Sequence, residues 1–192
     1  MLDLLNEASN VKTDKMFAII LGSSGAGKSH VAGTAPGKIL YLYLDSERHG
    51  SSSASKSSPD LLAVCLDRDK EGNPLKPEQA FKRGLEILNP EVLRKAKIDS
   101  VVLDGLTELE KLIRATPKWA NMCQSAQGKH NSFAEGSSTI ALGDEYMRAL
   151  RDAQDKAGVH VIVTGIIDVQ EVDDKGAIGV ATPRLSGYAV AE

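Results

Sequence analysis

Short apolar runs alternate along the chain with stretches in which apolar residues recur every three to four positions. That alternation predicts strands and helices in turn, the pattern of an α/β sheet. Residues 16–21 (MFAIIL) and 39–44 (ILYLYL) are continuous apolar runs of strand length, closed by Gly22 and Asp45. In the second, Tyr41 and Tyr43 fall on one face and Leu40, Leu42 and Leu44 on the other. Residues 61–66 read as a third strand, 101–103 as the centre of a fourth and 160–164 as a fifth. Helices are expected over 28–35, stopping before Pro36-Gly37, and over 77–88, with a stripe of Ala80, Phe81, Leu85 and Leu88. A third follows residue 103, through Leu106, Leu109, Leu112 and Ile113. The clearest amphipathic segment is 142–156, with Tyr146, Met147, Leu150 and Ala153 on one stripe and Gly158 as its C-cap. Residues 169–172 and 178–181 read as a C-terminal β-hairpin around Asp174-Lys175-Gly176. The expected fold class is therefore α/β, a mostly parallel central sheet flanked by helices and followed by that hairpin.

Two segments interrupt this rhythm. Six of the eight residues 51–58 are serine, which predicts a flexible connection or a lid. Residues 116–139 show no clear period and predict a long loop carrying Lys118, Trp119, Lys129 and His130.

The chain has 192 residues, 42% hydrophobic and 26% charged, in the range of one globular domain that folds without disulfides or a structural metal. Residues 1–14 are expected to be an N-terminal extension, and 15–192 the domain. No uninterrupted apolar run exceeds six residues, too short to span a bilayer as a helix. The first residues lack a basic start followed by an apolar stretch, so no secretory signal is expected. Cys65 and Cys123, the two cysteines, are far apart and outside any metal-ligand spacing, which points to a reducing, cytoplasmic setting. A net charge of −3 argues against coating nucleic acid by bulk electrostatics and leaves a local basic surface open.

The chemistry concentrates in Gly22-Ser23-Ser24-Gly25-Ala26-Gly27-Lys28-Ser29, a full match to G-x-x-x-x-G-K-[ST], with His30 next in line. Glycines let successive backbone N–H groups turn toward a polyphosphate. Lys28 brings a point charge to the β- and γ-phosphates, and the Ser29 hydroxyl is a ligand for Mg2+. The run follows an expected strand and opens an expected helix, the context this motif requires. A second metal partner is expected at Asp104, which ends the buried strand around 101–103; capping the next helix is its alternative role. A further acid must activate the attacking water. Glu47, just past the second strand, is the first candidate and Glu108 the rival.

Three blocks together resemble a known group: GSSGAGKSHVAGTAPGKILYLYLDSE, IDSVVLDGLTELEKL and DEYMRALRDAQDKAGVHVIVTG, with TPRLSGYA trailing. The chain resembles RecA-like P-loop ATPases over about residues 15–190, most closely the compact bacteriophage-encoded branch associated with single-strand annealing and recombination. The resemblance implies a RecA-like core, with ATP and Mg2+ as cofactors. It assigns Lys28 and Ser29 to phosphate and magnesium, Asp104 to magnesium and Glu47 to the catalytic glutamate. It further implies hydrolysis between subunits of a homo-oligomer, a single-stranded DNA surface on loops after the later strands, and a host cytoplasm as location. The family's polar pair after the fifth strand, often with Gln, reads Thr164-Gly165 here. Candidate DNA contacts are Lys118, Trp119 and Lys129, with packing inside the domain as the alternative for the tryptophan. Lys175 and Arg184 are candidates for a cation reaching a neighbouring subunit's γ-phosphate. The leading expectation is a DNA-dependent ATPase in recombination or replication. The alternative is a nucleotide-gated assembly or regulatory module with slow turnover and a protein partner. A small-molecule kinase fits less well, since residues 51–58 carry only Lys56 where an arginine-rich lid is needed.

Overall fold

The computed structural model describes residues 15–58, 60–125, 128–168 and 182–183. The central strands are β1 (Phe17–Gly22), β2 (Ile39–Tyr43), β3 (Leu62–Cys65), β4 (Ser100–Asp104) and β5 (His160–Asp168). They form one parallel sheet in the order β1-β5-β4-β2-β3, and a short β6 (Thr182–Pro183) pairs antiparallel with Ile167 and Asp168. The middle strands are apolar on both faces because both faces are covered. All five residues of β4 are buried, as are the first four of β2.

The two faces of the sheet are covered unequally. Leu40, Leu42, Val101, Leu103, Val161 and Val163 point into the larger core. There they meet Phe81 of α3 (Pro77–Ile87), Leu109 and Ile113 of α5 (Leu106–Arg114), and Leu142, Tyr146 and Leu150 of α7 (Phe133–Asp152). Ile39, Tyr41, Val102 and Ile162 point to the other face, against Ala32 of α1 (Lys28–Ala32) and Ala54 of α2 (Arg48–Ser55). The expected split of β2 into a tyrosine face and a leucine face is thus the division between the two cores. A 3-10 turn (Asp45–Glu47) leads from β2 into α2, and α4 (Pro90–Lys95) and α6 (Pro117–Met122) are further short helices.

Several expectations change. The serine-rich stretch is helical, not a flexible loop or lid, for most of its length. Ser51 and Ser55 return their hydroxyls to the carbonyls of Arg48 and Ser51, at 2.7 and 2.8 Å. Ala54 packs so closely on α1 that a Cβ at Gly33 would lie 2.6 Å from the Ala54 carbonyl oxygen. Helix α1 ends at Ala32 with Gly33 as its C-cap, short of the expected residue 35. The long loop over 116–139 is largely structured too. Thr116 caps α6 by accepting a hydrogen bond from the Trp119 N–H, Pro117 opens the helix, and α7 begins at Phe133, nine residues before the expected start. Beyond α7 the chain widens into a π-helical turn, Ala153–Ala157, and Gly158 closes it with φ 69° in the left-handed region, as its place predicts. The expected hairpin over 169–181 lies outside the described residues.

Candidate functional site

A parallel sheet gathers the carboxyl ends of its strands on one edge, and the loops leaving β1, β2, β4 and β5 meet there. The loop after β1 turns through Gly25 at φ 78° and Gly27 at φ 83°, angles that strain any residue with a Cβ. Gly22 is tight in another way: a Cβ there would meet that of Ala26 at 3.3 Å. The Lys28 ammonium folds over this loop and donates to the carbonyls of Gly22 (3.0 Å) and Ser23 (2.8 Å). It is thereby held at the mouth of the glycine-rich turn.

Ser29 begins the link to the other strands. Its hydroxyl donates to Oδ2 of Asp104 at 2.9 Å, across 75 residues of sequence. Asp104 is 3% exposed and also accepts the hydroxyls of Tyr41, at Oδ2, and Thr164, at Oδ1. Buried carboxylate oxygens need hydrogen-bond donors, and these three hydroxyls supply them. Burial and the Asp104 charge together push the Tyr41 phenol well above its ordinary range, so it stays a donor at any physiological pH.

The cleft in front of these groups has a volume of about 270 Å3 and is lined by the glycine-rich loop, Glu47, Gly50, Asp104, Glu108 and Thr164, among others. Glu47 and Glu108, rivals on sequence, stand in different surroundings. Glu108 accepts the Ser46 hydroxyl at 2.9 Å and the Lys111 ammonium at 2.6 Å. The Glu47 carboxylate accepts no hydrogen bond from the described residues. Burial first, then repulsion from Asp104 and Glu108, raise its pKa, with Lys28 and Lys111 opposing. A half-buried, unpaired carboxylate poised in this way has the character of a general base.

Asp104, Glu47 and Glu108 face Lys28 across the cleft, with Lys111 paired to Glu108, so acid groups predominate and a divalent cation would offset them beside a polyphosphate. The oxygen donors present, a hydroxyl and a carboxylate 2.9 Å apart, suit Mg2+, which takes few protein ligands and completes its shell with phosphate and water. No group of three or more His, Cys, Asp or Glu side chains that could hold a metal occurs among the described residues, so an all-protein cage is not what they offer.

His30 lines the cleft, and its Nδ1 shares a hydrogen bond of 2.7 Å with the Ser57 hydroxyl, tying α1 to the segment beyond α2. Trp119 is not at the cleft. It is half-buried against the larger core, its indole N–H donates to Thr139 at 2.9 Å, and the Arg114 guanidinium lies 5.6 Å from its ring centroid. Lys118 pairs with Glu145, and Lys129 is exposed. Lys175 and Arg184 lie outside the described residues. Arg148 pairs with Asp144 along α7, and His160 Nδ1 accepts the Met16 N–H at 3.1 Å, both structural roles. Cys65 and Cys123 are free thiols.

Sequence reasoning missed Tyr41 as part of the site, along with Gly50 and His49. Tyr41 carried a signal, a hydroxyl on the buried face of an aliphatic strand. Gly50 carried none, because its role depends on where α2 packs.

No helix among the described residues is long and apolar enough to cross a membrane. A search of curated proteins finds no match to the chain. The profile of the AAA domain family matches residues 14–188, nearly the whole sequence. With the glycine-rich cradle and its parallel sheet, this match establishes that the chain belongs to the AAA domain family and is a nucleotide-binding domain of the P-loop NTPase type.

Proposed function

We propose that the protein is a RecA-like ATPase that binds Mg·ATP in the cleft and hydrolyses it with Glu47 as general base. The observation that carries this reading is the convergence on one cleft of the glycine-rich loop, the Ser29–Asp104 pair and an unpaired Glu47. The loop N–H groups and Lys28 bind the β- and γ-phosphates, with Lys28 exchanging the carbonyls of Gly22 and Ser23 for phosphate oxygens. Ser29 and Asp104 hold the magnesium ion, which supplies charge neutralisation to the phosphates. Glu47 accepts a proton from water as its oxygen bonds to the γ-phosphorus. The bond to the β–γ bridging oxygen breaks, leaving ADP and phosphate. Of the two acids, Glu47 is the better base because Lys111 and Ser46 already occupy Glu108.

Single-stranded DNA dependence, in a phage-type recombination or replication role, is the finer part of this proposal. It rests on the three-block resemblance and on exposed Lys129. The setting of Trp119 favours the second reading instead, a nucleotide-gated module that binds a protein partner. The indole of Trp119 is already engaged by Thr139 through its N–H and by Arg114 over its ring, which leaves less of it open to stacking bases. Steady-state ATP hydrolysis with and without single-stranded DNA, on wild type and Lys28→Ala, separates the two. Stimulation that disappears in the variant supports the DNA-dependent ATPase. Turnover indifferent to DNA supports the module, and absence of Mg·ATP binding by wild type contradicts both.

A further inference from the structure

Tyr41 is fully buried, and its ring fills an apolar environment of Ile39, Ala32, Ala54, Val102 and Ile162. Phenylalanine would fill that space equally well. A buried hydroxyl adds a desolvation cost unless it is bonded, so the oxygen needs a reason beyond packing. Its partner is Oδ2 of Asp104. The register explains the reach: β2 pairs with β4 so that Tyr41 stands opposite Val102 and Tyr43 opposite Asp104. Tyr41 therefore meets Asp104 on the diagonal, within range of a long aromatic side chain on the same face.

The carboxylate is gripped from three sides. Ser29 reaches it from the glycine-rich loop, Tyr41 from β2 and Thr164 from β5. These three differ in what they can do. Ser29 lines the cleft and is free to trade its bond to Asp104 for a metal. Tyr41 is sealed in the core, with its hydroxyl on the carboxylate. Gly50 closes the remaining approach: a Cβ there would lie 2.3 Å from Asp104 Oδ2, 2.8 Å from Ser29 Oγ and 3.3 Å from the Tyr41 hydroxyl. The helix backbone thus abuts the cluster with no side chain between.

We infer that Tyr41 is a positioning residue whose hydroxyl fixes the Asp104 carboxylate in the orientation that receives nucleotide-bound magnesium. This role rests on the reading of the cleft as a Mg·nucleotide site. It assigns the Tyr41 oxygen to metal affinity, and leaves nucleotide contacts to the glycine-rich loop.

The test is a titration of a fluorescent ATP analogue against wild type and Tyr41→Phe, in EDTA and across a Mg2+ series. In EDTA the two proteins bind the nucleotide equally. With Mg2+, the concentration giving half-maximal enhancement rises about tenfold in the variant, the effect of losing one hydrogen bond to a charged group. An unchanged Mg2+ midpoint overturns the role. An equal loss with and without Mg2+ also overturns it, since that is the mark of packing alone. If wild type gains no affinity from Mg2+, the Mg·nucleotide reading itself fails, which is a different result from a wild-type gain that Tyr41→Phe retains. If Tyr41→Phe does not fold, [13Cζ]tyrosine NMR of wild type decides. The Tyr41 resonance shifts when Mg2+ joins the nucleotide-bound protein, and an unmoved resonance overturns the inference.

Discussion

At the scale of single residues, the proposed ATPase divides the work of the cleft between a cation, a hydroxyl–carboxylate pair and a base, and the cation and the base each make a separate prediction. Lys28→Ala removes the ammonium folded over the glycine-rich loop, so triphosphate affinity falls roughly 10- to 100-fold, the worth of a charge-assisted hydrogen bond. Equilibrium binding of ATP to wild type and variant measures this. Glu47 links activity to pH. Its folded pKa lies above the ordinary value of 4.5, so between the two values the folded protein holds a proton that the unfolded chain has released. Stability from this group is therefore full below the ordinary value and falls as pH rises through the raised one. Glu47→Gln removes that slope, and at neutral pH the unliganded variant melts slightly higher than wild type. For turnover, the same shift puts the acid limb of kcat/KM above 4.5, because only the deprotonated carboxylate takes a proton from water. A limb at the ordinary value would remove Glu47 from the role. Part of the geometry was legible in the sequence. The eight-residue run predicted a glycine-rich turn between a strand and a helix, because the backbone freedom of its glycines is a local property. The three hydroxyls on Asp104 were not legible as a set, because they come from positions 29, 41 and 164 and meet only when β5 lies next to β4 and β2 on its other side.

At the scale of elements, the serine-rich helix α2 is the part that sequence patterning misjudged. Serine is a mediocre helix former, and its hydroxyls satisfy a turn as readily as a helix. Packing decided: Ala54 seats on Gly33, and Gly50 lies against the Ser29–Asp104 pair. Gly50→Ala forces a methyl group to 2.3 Å from the Asp104 carboxylate, so α2 or the carboxylate must shift. The expected outcome is Mg·ATP binding at least tenfold weaker, with overpacking costing about 1–3 kcal/mol of stability. Isothermal titration and a thermal melt check both, and unchanged Mg·ATP affinity would separate α2 from the metal site. The beginning of α7 was hidden for a different reason. Gly136, Ser137, Ser138, Thr139 and Gly143 are poor helix formers, and Phe133 and Ile140 are exposed, so no inward stripe appears until Leu142. Trp119 belongs to this region as a staple between α5, α6 and α7. Trp119→Ala should lower stability by about 2–3 kcal/mol, below the cost of a fully buried tryptophan, and leave ATP affinity untouched. Thermal unfolding beside nucleotide binding tests this; an unaltered melting temperature would return Trp119 to the list of ligand contacts.

At the scale of the whole molecule, the parallel sheet brings to one edge groups that the chain order scatters. The order β1-β5-β4-β2-β3 inserts β5 between the strand of the cradle and the strand of Asp104, and Thr164 on β5 donates its hydroxyl to Asp104. A Cβ at Gly165 would lie 2.8 Å from the tip of the exposed Leu21 side chain on β1, so the amide that the resembling family often carries would require Leu21 to turn aside. Coupling from phosphate to a distant surface through that position is thus the feature least supported by these residues. The central claim is that this cleft holds Mg·ATP and that Glu47 drives its hydrolysis. The most direct measurement is ATP binding and steady-state turnover of Glu47→Gln beside wild type, both with Mg2+. The account predicts wild-type ATP affinity in the variant and turnover lower by about 10²- to 10⁴-fold, the usual share of a general base. Turnover at the wild-type rate would contradict it and pass the base role to Glu108.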